Sequence, residues 1–366
     1  SLGKVNLIVG KNNTGKSTIL EALAIYATNR GPDILFELLE ERREYSRSEK
    51  NRMTGEKNNI EEYNVQALSS LFTDRVISFD ADDSVYIGNI KNKKLNYEKS
   101  EKKPVSFRFI LYVKEMGKDD DGNVFHRIRK HQQLALEINT VSSSENYNIG
   151  LEINIGNHPI LVDLDNDRPN RFMNVGRFVK DDYQLIRTNN IDRETNGTLF
   201  DNIALTDKEQ YVINALKIIE PTSERIAFIG ENRRERYAVI KLANNPRILP
   251  LRSMGDGMNR ILTIILAMVN ADNGFLLIDE FENGLHYTTQ EQLWKVIFSL
   301  AKQLNIQVFA TTHSEDCIRG FEAVLNSSGQ GDGKLIRLHN DNGMIKEVEF
   351  NAEELKIATN RNIEIR

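Results

Sequence analysis

The stretch Val5-Asn6-Leu7-Ile8-Val9-Gly10-Lys11-Asn12-Asn13-Thr14-Gly15-Lys16-Ser17-Thr18 decides the fold of this chain. It begins as an apolar run with strand character and continues as a loop of the form G-x-x-x-x-G-K-S. Residues 19–26 then carry leucine and alanine at helical spacing. A strand, a glycine-rich loop and a helix in this order form a P-loop, which holds the phosphates of a nucleotide.

Each residue type in the loop has a chemical reason to be there. Glycines let backbone N–H groups surround a phosphate, and the helix N-terminus behind them favours negative charge. A lysine reaches the outer phosphates, and a hydroxyl next to it suits Mg²⁺. Asparagine tolerates the left-handed backbone that such a loop needs. The predicted nucleotide-binding residues are Gly10, Asn12, Asn13, Thr14, Gly15, Lys16, Ser17 and Thr18.

Composition bounds the remaining possibilities. The chain has 366 residues, 40% hydrophobic and 28% charged, which suits one large domain with an insertion or two domains. The single cysteine, Cys317, excludes an internal disulfide framework and favours a cytoplasmic location. No apolar run reaches the roughly eighteen residues of a membrane span. With a net charge of −5, any contact with nucleic acid requires a local basic patch.

The middle of the chain changes from helical to alternating patterns. Residues 60–80 have a helical stripe, whereas residues 84–162 alternate as strands do, at 105–113, 134–138 and 151–155, with a turn signal at 119–123. These patterns predict an antiparallel β subdomain.

Two further elements follow the predicted β subdomain. Thr206 and Glu209 have the spacing of a capping box before a helix that Pro221 stops. Strands at 226–229 and 237–242 then predict a hairpin.

A second block combines a small loop with an acidic strand. Ser253, Gly255 and Gly257 precede a strongly apolar helix, where they either close on an anion or serve only as a helix cap. The strand 274–280 ends in two acids. Next to a P-loop, Asp279 is predicted to hold Mg²⁺ or its water, and Glu280 to polarise the attacking water.

A third block, residues 308–314, is another buried strand and ends in Thr312-His313-Ser314. Isolated histidines are more often structural than catalytic. Because His313 ends the strand that follows the acidic one, it occupies the position expected of a residue that senses the terminal phosphate.

The order of these blocks resembles that of ABC-class ATPases in the RecF, SMC and OLD branch. The segment 279–286 is similar to the D-E-x-E-x-G-L-H of OLD-type prokaryotic ATPases, and 310–314 to their A-T-T-H-S. The likeness is specific over about 1–30 and 247–320. It implies an α/β P-loop fold of ABC type, with a mixed central sheet, an antiparallel β subdomain and a helical insertion. The expected nucleotide-binding core is 1–30 with 247–366, and the expected insertion is about 31–246.

The resemblance also implies roles for residues. Lys16 and Ser17 bind ATP and Mg²⁺, Asp279 supports the metal, Glu280 is the general base and His313 is the switch. The loop from Ser253 to Gly257 is the signature that closes over ATP held by another copy, and the loop from Glu282 to His286 meets the opposite subunit. A homodimer or higher homo-oligomer with shared ATP sites is therefore expected.

Departures from the family limit what can be carried over. The usual strands before the P-loop strand are missing from this sequence, so recognition of the base is unassigned. Gln184 is only a weak candidate for the Mg²⁺-sensing glutamine. About fifty residues follow His313, too few for the Toprim nuclease of OLD proteins. These features favour an ATP switch that controls a separate effector, resembling prokaryotic anti-phage ATPases, with no membrane partner.

Other classes of protein stay open at this point. A RecF-like ATP-dependent DNA clamp shares the core and the approximate length, but the acidic net charge speaks against it. A scaffold that binds ATP without turnover conflicts with Glu280. A transporter motor is disfavoured because such proteins have no counterpart of the long sheet-rich insertion. An SMC-type coiled-coil arm is excluded because the sequence has no sustained heptad repeats.

Overall fold

The computed structural model describes residues 2–28, 32–46, 57–80, 82–88, 103–118, 124–130, 147–164, 183–188, 193–230, 236–327, 332–361 and 363–365. Two compact units divide the chain, Ser1–Ala27 with Asp182–Arg366, and Thr28–Asp181. They are called the first and the second unit here.

The strands in chain order are β1 (Val5–Gly10), β2 (Val85–Ile87), β3 (Val105–Lys118), β4 (Val124–Lys130), β5 (Asn148–Ile155), β6 (His158–Asp163), β7 (Tyr183–Ile186), β8 (Ser223–Ile229), β9 (Tyr237–Leu242), β10 (Ile248–Pro250), β11 (Phe275–Ile278), β12 (Gln307–Thr312), β13 (Gly333–Asp341) and β14 (Met344–Phe350).

The α-helices are α1 (Lys16–Ala27), α2 (Asp33–Glu41), α3 (Lys57–Ser69), α4 (Arg193–Asp201), α5 (Lys208–Ile219), α6 (Asp256–Asn270), α7 (Tyr287–Gln303), α8 (Glu315–Leu325) and α9 (Ala352–Asn360). Short 3₁₀ turns lie at Thr73–Arg75 and Leu251–Met254.

A six-stranded sheet in the order β14-β13-β1-β12-β11-β7 forms the centre of the first unit. All its pairings are parallel except that of β13 with β14. The prediction of an α/β fold with a mixed central sheet is confirmed. Because β12 lies between β1 and β11, the P-loop strand and the acidic strand both border the strand that leads to His313.

Alternation along β1 divides the sheet into two packed faces. Val5, Leu7 and Val9 face a large core with α6, α7 and α8, whereas Ile8 faces α1 through Leu20 and Ala24. Burial of both faces explains why the parallel strands read as nearly continuous apolar runs. The carboxyl ends of β1, β11 and β12 meet at one edge, so the residues after these strands come together there.

An aromatic stack stabilises the segment that follows the acidic strand. Phe281 lies flat against Trp294 of α7, with ring centroids 4.1 Å apart and an interplanar angle of 6°, and neither side chain is exposed. The backbone N–H of Phe281 also donates to the carbonyl oxygen of Thr311 at 2.9 Å. The turn after Glu280 is therefore fixed to both α7 and β12.

The second unit contains an antiparallel sheet, as the alternation predicted. Its order is β2-β3-β5-β6, with β4 also paired to β3. Phe107 and Phe109 of β3 are buried and both contact Phe72. Helices α2 and α3 belong to the same unit. The predicted strand 134–138 and the turn at 119–123 lie outside the described residues.

The structure places the second boundary of the insertion differently from the sequence prediction. Residues 182–246, expected in the insertion, belong to the first unit. The reason is pairing and packing: β7 adds to the edge of the central sheet beside β11, and α4 and α5 share the core of α6.

One local prediction about a helix start is wrong. Helix α5 begins at Lys208 after Asp207, and no side chain caps it in the manner of a capping box. The two side chains accept from neighbouring N–H groups instead: Thr206 Oγ1 from Lys208 at 3.3 Å and Glu209 Oε2 from Leu205 at 3.2 Å, while the Thr206 hydroxyl donates to the carbonyl oxygen of Ile203 at 2.6 Å. A reciprocal capping box is present at α9, where Asn351 and Glu354 bond to each other's backbone N–H groups.

The end of the chain completes the sheet with β13, β14 and α9, as the apolar pattern suggested. Across the ranges that the structure describes, no helix is both long and apolar enough to cross a bilayer.

Cys317 is fully buried in α8, and burial raises the pKa of its thiol far above the usual value. Because the thiolate is the reactive form, iodoacetamide labelling of the native protein should be slower than labelling of the denatured chain by on the order of 100-fold. Mass spectrometry of alkylated peptides measures the ratio. Equal rates in the two states would contradict the packing of α8.

Candidate active site

The P-loop joins β1 to α1 through a backbone that only certain residues adopt. Gly10, Asn13 and Gly15 have φ of 153°, 62° and 81°. Asn13 thus has the left-handed conformation that the sequence suggested, whereas Asn12 does not. A Cβ atom at Gly10 would lie 2.6 Å from the carbonyl oxygen of Leu338 and 2.7 Å from Oγ1 of Thr14. A glycine is therefore required where β1 enters the loop.

Lys16 lies within the loop, with 7% of its surface exposed. Its Nζ donates to the carbonyl oxygens of Gly10 at 2.9 Å and of Lys11 at 2.8 Å. Burial lowers the pKa of Lys16, and the opposing electrostatic effects come from Asp279, Glu280 and Glu282. The ammonium group thus occupies the hollow of the loop, close to the acidic end of β11.

Ser17 and Asp279 form the contact between the P-loop and the acidic strand. The Ser17 hydroxyl lies 3.2 Å and 3.3 Å from the two carboxylate oxygens of Asp279. Asp279 Oδ1 also accepts a hydrogen bond from Thr311 Oγ1 at 2.7 Å. A hydroxyl beside a carboxylate suits Mg²⁺, which takes one or two protein oxygens and completes its shell with phosphates and water. Among the described residues, no cluster of three or more His, Cys, Asp or Glu side chains could hold a metal by itself.

Glu280 has a backbone that is rare outside glycine, with φ of 47°. Two threonines hold it. Its N–H donates to Oγ1 of Thr311 at 2.9 Å, and Thr188 Oγ1 donates to Glu280 Oε2 at 3.1 Å. Strained backbone of this kind costs free energy and is found preferentially at functional sites. The carboxylate is held in one orientation at the sheet edge.

His313 follows β12 and is half-buried. Its backbone N–H donates to Oε1 of Glu282 at 2.8 Å, while Thr312 Oγ1 donates to Oε2 of the same carboxylate at 2.7 Å. The turn that carries Glu280 is thereby connected to the segment that carries His313. The sequence pattern did not assign this contact to Glu282.

Ser253 and Gly255, in the loop at residues 253–257, are exposed on the same unit. Ser253 donates its hydroxyl to the carbonyl oxygen of Pro250 at 2.7 Å. Gly255, with φ of 102°, is the N-cap of α6, and no side chain caps that helix. Ser253 thus does not cap α6 with its side chain, whereas Gly255 serves as the N-cap residue. A Cβ atom at Gly257 would lie 3.1 Å from the carbonyl oxygen of Gly284, so α6 begins against the turn after Glu280.

Arg260 is a site residue that sequence reasoning missed. Its side chain is completely buried, and it donates to the carbonyl oxygens of Arg187, Asp279 and Glu280 at 3.1, 3.1 and 3.4 Å. Burial lowers its pKa against the effect of the three nearby carboxylates. An arginine within an otherwise apolar helix was the available signal, because such a charge requires buried partners.

The structure brings Lys16, Ser17, Asp279 and Glu280 together at one edge of the sheet, and it connects His313 to that edge through Glu282. Asn12, Asn13 and Thr18 lie exposed around the loop, with Thr14 and Gly15 less exposed. Gln184 is the second residue of β7, paired with Leu276, and so lies before the edge. Thr188 is the residue from this segment that reaches Glu280.

A P-loop on a largely parallel sheet, with an acidic pair at the end of a nearby strand, defines a P-loop ATPase core. The family model described as "AAA ATPase domain" matches residues 1–318, and the chain belongs to this family.

Two curated relatives each match a segment of 89 residues, which is 24% of this chain. One is an "ATP/GTP phosphatase" of Helicobacter pylori, 34% identical over that segment, which spans 24% of the relative. The other is "Uncharacterized protein MJECL11" of Methanocaldococcus jannaschii, 35% identical, with 76% of the relative covered. The chain thus spans about a quarter of the Helicobacter protein.

Solved structures with similar folds include SMC head domains. One is the SMC head bound to the C-winged helix domain of ScpA, at 12% identity and a TM-score of 0.45. Another is the SMC head domain from Thermotoga maritima, at 14% identity and a TM-score of 0.41. Each comparison covers 96% of this chain and 92% of the other. Likeness at this level carries no argument about the activity of this chain.

Gly10→Ala should abolish nucleotide binding and lower the free energy of unfolding by about 2–3 kcal/mol, because a clash is added to backbone strain. Gly343→Ala is the matched control. Gly343 also has positive φ, 89°, but no atom lies within 4 Å of its Cβ position. Denaturation with and without nucleotide tests both. Nucleotide affinity preserved in Gly10→Ala would contradict the loop geometry.

Arg260→Met should lower the free energy of unfolding by about 2–4 kcal/mol, because it leaves buried carbonyl oxygens without a charged donor. Turnover should fall as well, since the backbone of Glu280 loses a restraint. Arg247→Met, at an exposed position, controls for the lost charge. Chemical denaturation and a phosphate-release assay provide the measurements. Wild-type stability in Arg260→Met would show that the guanidinium is dispensable.

Proposed function

We propose that this chain is an ATP-hydrolysing switch that assembles with a second copy through shared nucleotide sites and controls an effector protein. The observation that carries the hydrolytic part is the contact of Ser17 with Asp279, which places the P-loop beside the acidic pair. The family of ATPase domains and the name of the Helicobacter relative support it.

Binding of ATP begins with the loop and with Lys16. Backbone N–H groups of the loop and the N-terminus of α1 provide a site for phosphate. Lys16 donates to two loop carbonyls in the free protein, and the phosphates of ATP are stronger acceptors for the same ammonium group. The exchange of neutral partners for charged ones favours binding of the nucleotide phosphates.

Ser17 and Asp279 would hold Mg²⁺ together with the nucleotide. When bound, Mg²⁺ neutralises charge that develops on the phosphate oxygens. Thr311 donates to Asp279 Oδ1 and so keeps the carboxylate directed toward Ser17. The protein contributes a hydroxyl and a carboxylate in fixed positions, and the phosphates and water supply the other ligands.

Glu280 is the proposed general base. Glu280 follows Asp279 at the same edge of the sheet. There its carboxylate accepts a hydrogen bond from an attacking water in line with the terminal phosphate. Thr188 donates to Oε2 and so orients the carboxylate. Its other oxygen, Oε1, is the one that accepts from the water. His313, on the neighbouring strand, then responds to the terminal phosphate and reports its presence or loss.

Assembly through ATP follows from the position of the 253–257 loop. Ser253 and Gly255 are exposed; the Ser253 hydroxyl bonds to the carbonyl oxygen of Pro250, and Gly255 bonds through its backbone to Arg252 and Met258. A second copy that brings this loop over bound ATP would complete each site. The triphosphate then has more contacts in the dimer than in the monomer, which is the differential affinity that an ATP-driven equilibrium requires.

Control of an effector in anti-phage defence is supported by the resemblance of residues 279–286 and 310–314 to OLD-type ATPases. In this proposal ATP binding sets the dimer and hydrolysis resets it, while the second unit, Thr28–Asp181, contacts the effector or the trigger. Affinity purification with and without ATP identifies the effector. Recovery of duplex DNA alone, bound in a salt-sensitive and ATP-dependent way, would favour a DNA clamp instead.

Glu280→Gln should reduce turnover by at least about 100-fold while ATP still binds, because the amide cannot accept the proton. Lys16→Ala should lose both binding and turnover. Exposed controls are Glu347→Gln and Lys356→Ala, which remove the same charges elsewhere. Phosphate release and nucleotide-binding titration measure the two effects.

Molar mass in solution tests the assembly. Mass should double with ATP and Mg²⁺, and Glu280→Gln should retain the larger species after wild type has returned to the smaller one. If both proteins have the same mass with and without nucleotide, shared sites are ruled out and hydrolysis takes place within one chain.

A further inference from the structure

The turn after Glu280 contains a second acid, Glu282, whose two carboxylate oxygens both bond to the neighbouring strand end. Oε2 accepts from the Thr312 hydroxyl at 2.7 Å, and Oε1 accepts from the backbone N–H of His313 at 2.8 Å. Bonds of an ionised carboxylate to two consecutive residues fix both distance and orientation. Glu282 therefore determines where the backbone of His313 lies relative to its own turn.

The turn is itself firmly placed. Next to Glu282, Phe281 stacks on Trp294 with ring centroids 4.1 Å apart and bonds to the carbonyl oxygen of Thr311. On the other side, Leu285 donates its N–H to the carbonyl oxygen of Glu282 at 2.9 Å. The carboxylate thus projects from a rigid turn, and displacement of one partner is transmitted to the other.

The bonds continue from Thr312 into α8. Oγ1 of Thr312 accepts from the N–H of Ser314 at 3.0 Å, and Oγ of Ser314 accepts from the N–H of Cys317 at 3.3 Å as the N-cap of α8. His313 lies between these anchored residues. Its backbone is restrained by Glu282 from one side and by the start of α8 from the other.

We propose that Glu282 is a positioning residue that holds His313 in register with Glu280. This inference rests on the proposed hydrolytic function and adds to it. Glu280 and Glu282 belong to the same turn. The proposed base, Glu280, and the proposed sensor, His313, follow two different strands, and this one turn positions both. Both carboxylate oxygens of Glu282 bond to the segment that carries His313, which assigns Glu282 a positioning role rather than a catalytic one.

Glu282→Ala should lower kcat for ATP by about 10-fold to 100-fold, the usual cost of removing a group that orients a functional one. KM for ATP should change by less than about 3-fold, because the P-loop contacts remain. Glu282→Gln keeps one carbonyl oxygen as acceptor and should recover part of the lost kcat. Glu347→Ala, at an exposed position, is the matched control.

A double-substitution cycle separates positioning from general support of the fold. If Glu282 acts through His313, then Glu282→Ala in a His313→Ala background should lower kcat by less than about 2-fold further. Full additivity of the two losses, or a parallel rise in KM, would overturn the proposal. If Glu282→Ala does not fold, the same cycle is measured with Glu282→Gln.

Glu280→Gln and Lys16→Ala are measured in the same series, so that two failures can be told apart. Loss of turnover in these two variants together with additive effects at Glu282 and His313 would overturn the positioning role alone. Normal turnover in Glu280→Gln and Lys16→Ala would overturn the proposed hydrolysis itself and, with it, the role of Glu282.

Discussion

The bonds of the Asp279 carboxylate connect the three elements on which this site depends. The acid ends β11, accepts from Ser17 at the start of α1, and accepts from Thr311 near the end of β12. Since β12 lies between β1 and β11, these bonds tie the P-loop, the acidic strand and the strand leading to His313 into one edge. A parallel sheet makes this possible, because it brings the carboxyl ends of distant segments together.

Charge at this edge is balanced by two buried cations of different kinds. Lys16 donates to carbonyl oxygens of the phosphate-binding loop, whereas Arg260 is completely buried and donates to the carbonyl oxygens of Asp279 and Glu280. The planar guanidinium bonds to several acceptors at once, which suits a fixed structural role. The lysine, a compact charge on a flexible stem, suits exchange between loop and ligand.

Strain and restraint occur together in the turn after β11. Glu280 adopts a left-handed backbone, and Thr188, Thr311 and Arg260 bond to its side chain, N–H and carbonyl. Phe281 then buries its ring against Trp294, so the apolar core resists relaxation of the turn. A base in such surroundings keeps its direction without rearrangement when substrate binds, which is the preorganisation that lowers a barrier.

The sequence alone determined the P-loop and the acidic strand, because these depend on local patterns: glycines at fixed spacing, apolar runs and the acids that end them. The mixed sheet was expected from the resemblance of the motif order to ABC-class ATPases. The sequence did not place residues 182–246, since β7 joins the sheet through a partner ninety residues away in the chain. Nor did it find Thr188 or Arg260, which have no motif of their own, or the bonds of Glu282, whose place in the segment 279–286 does not reveal its partners. Their roles arise only when strand ends far apart in sequence meet, so tertiary structure decided them.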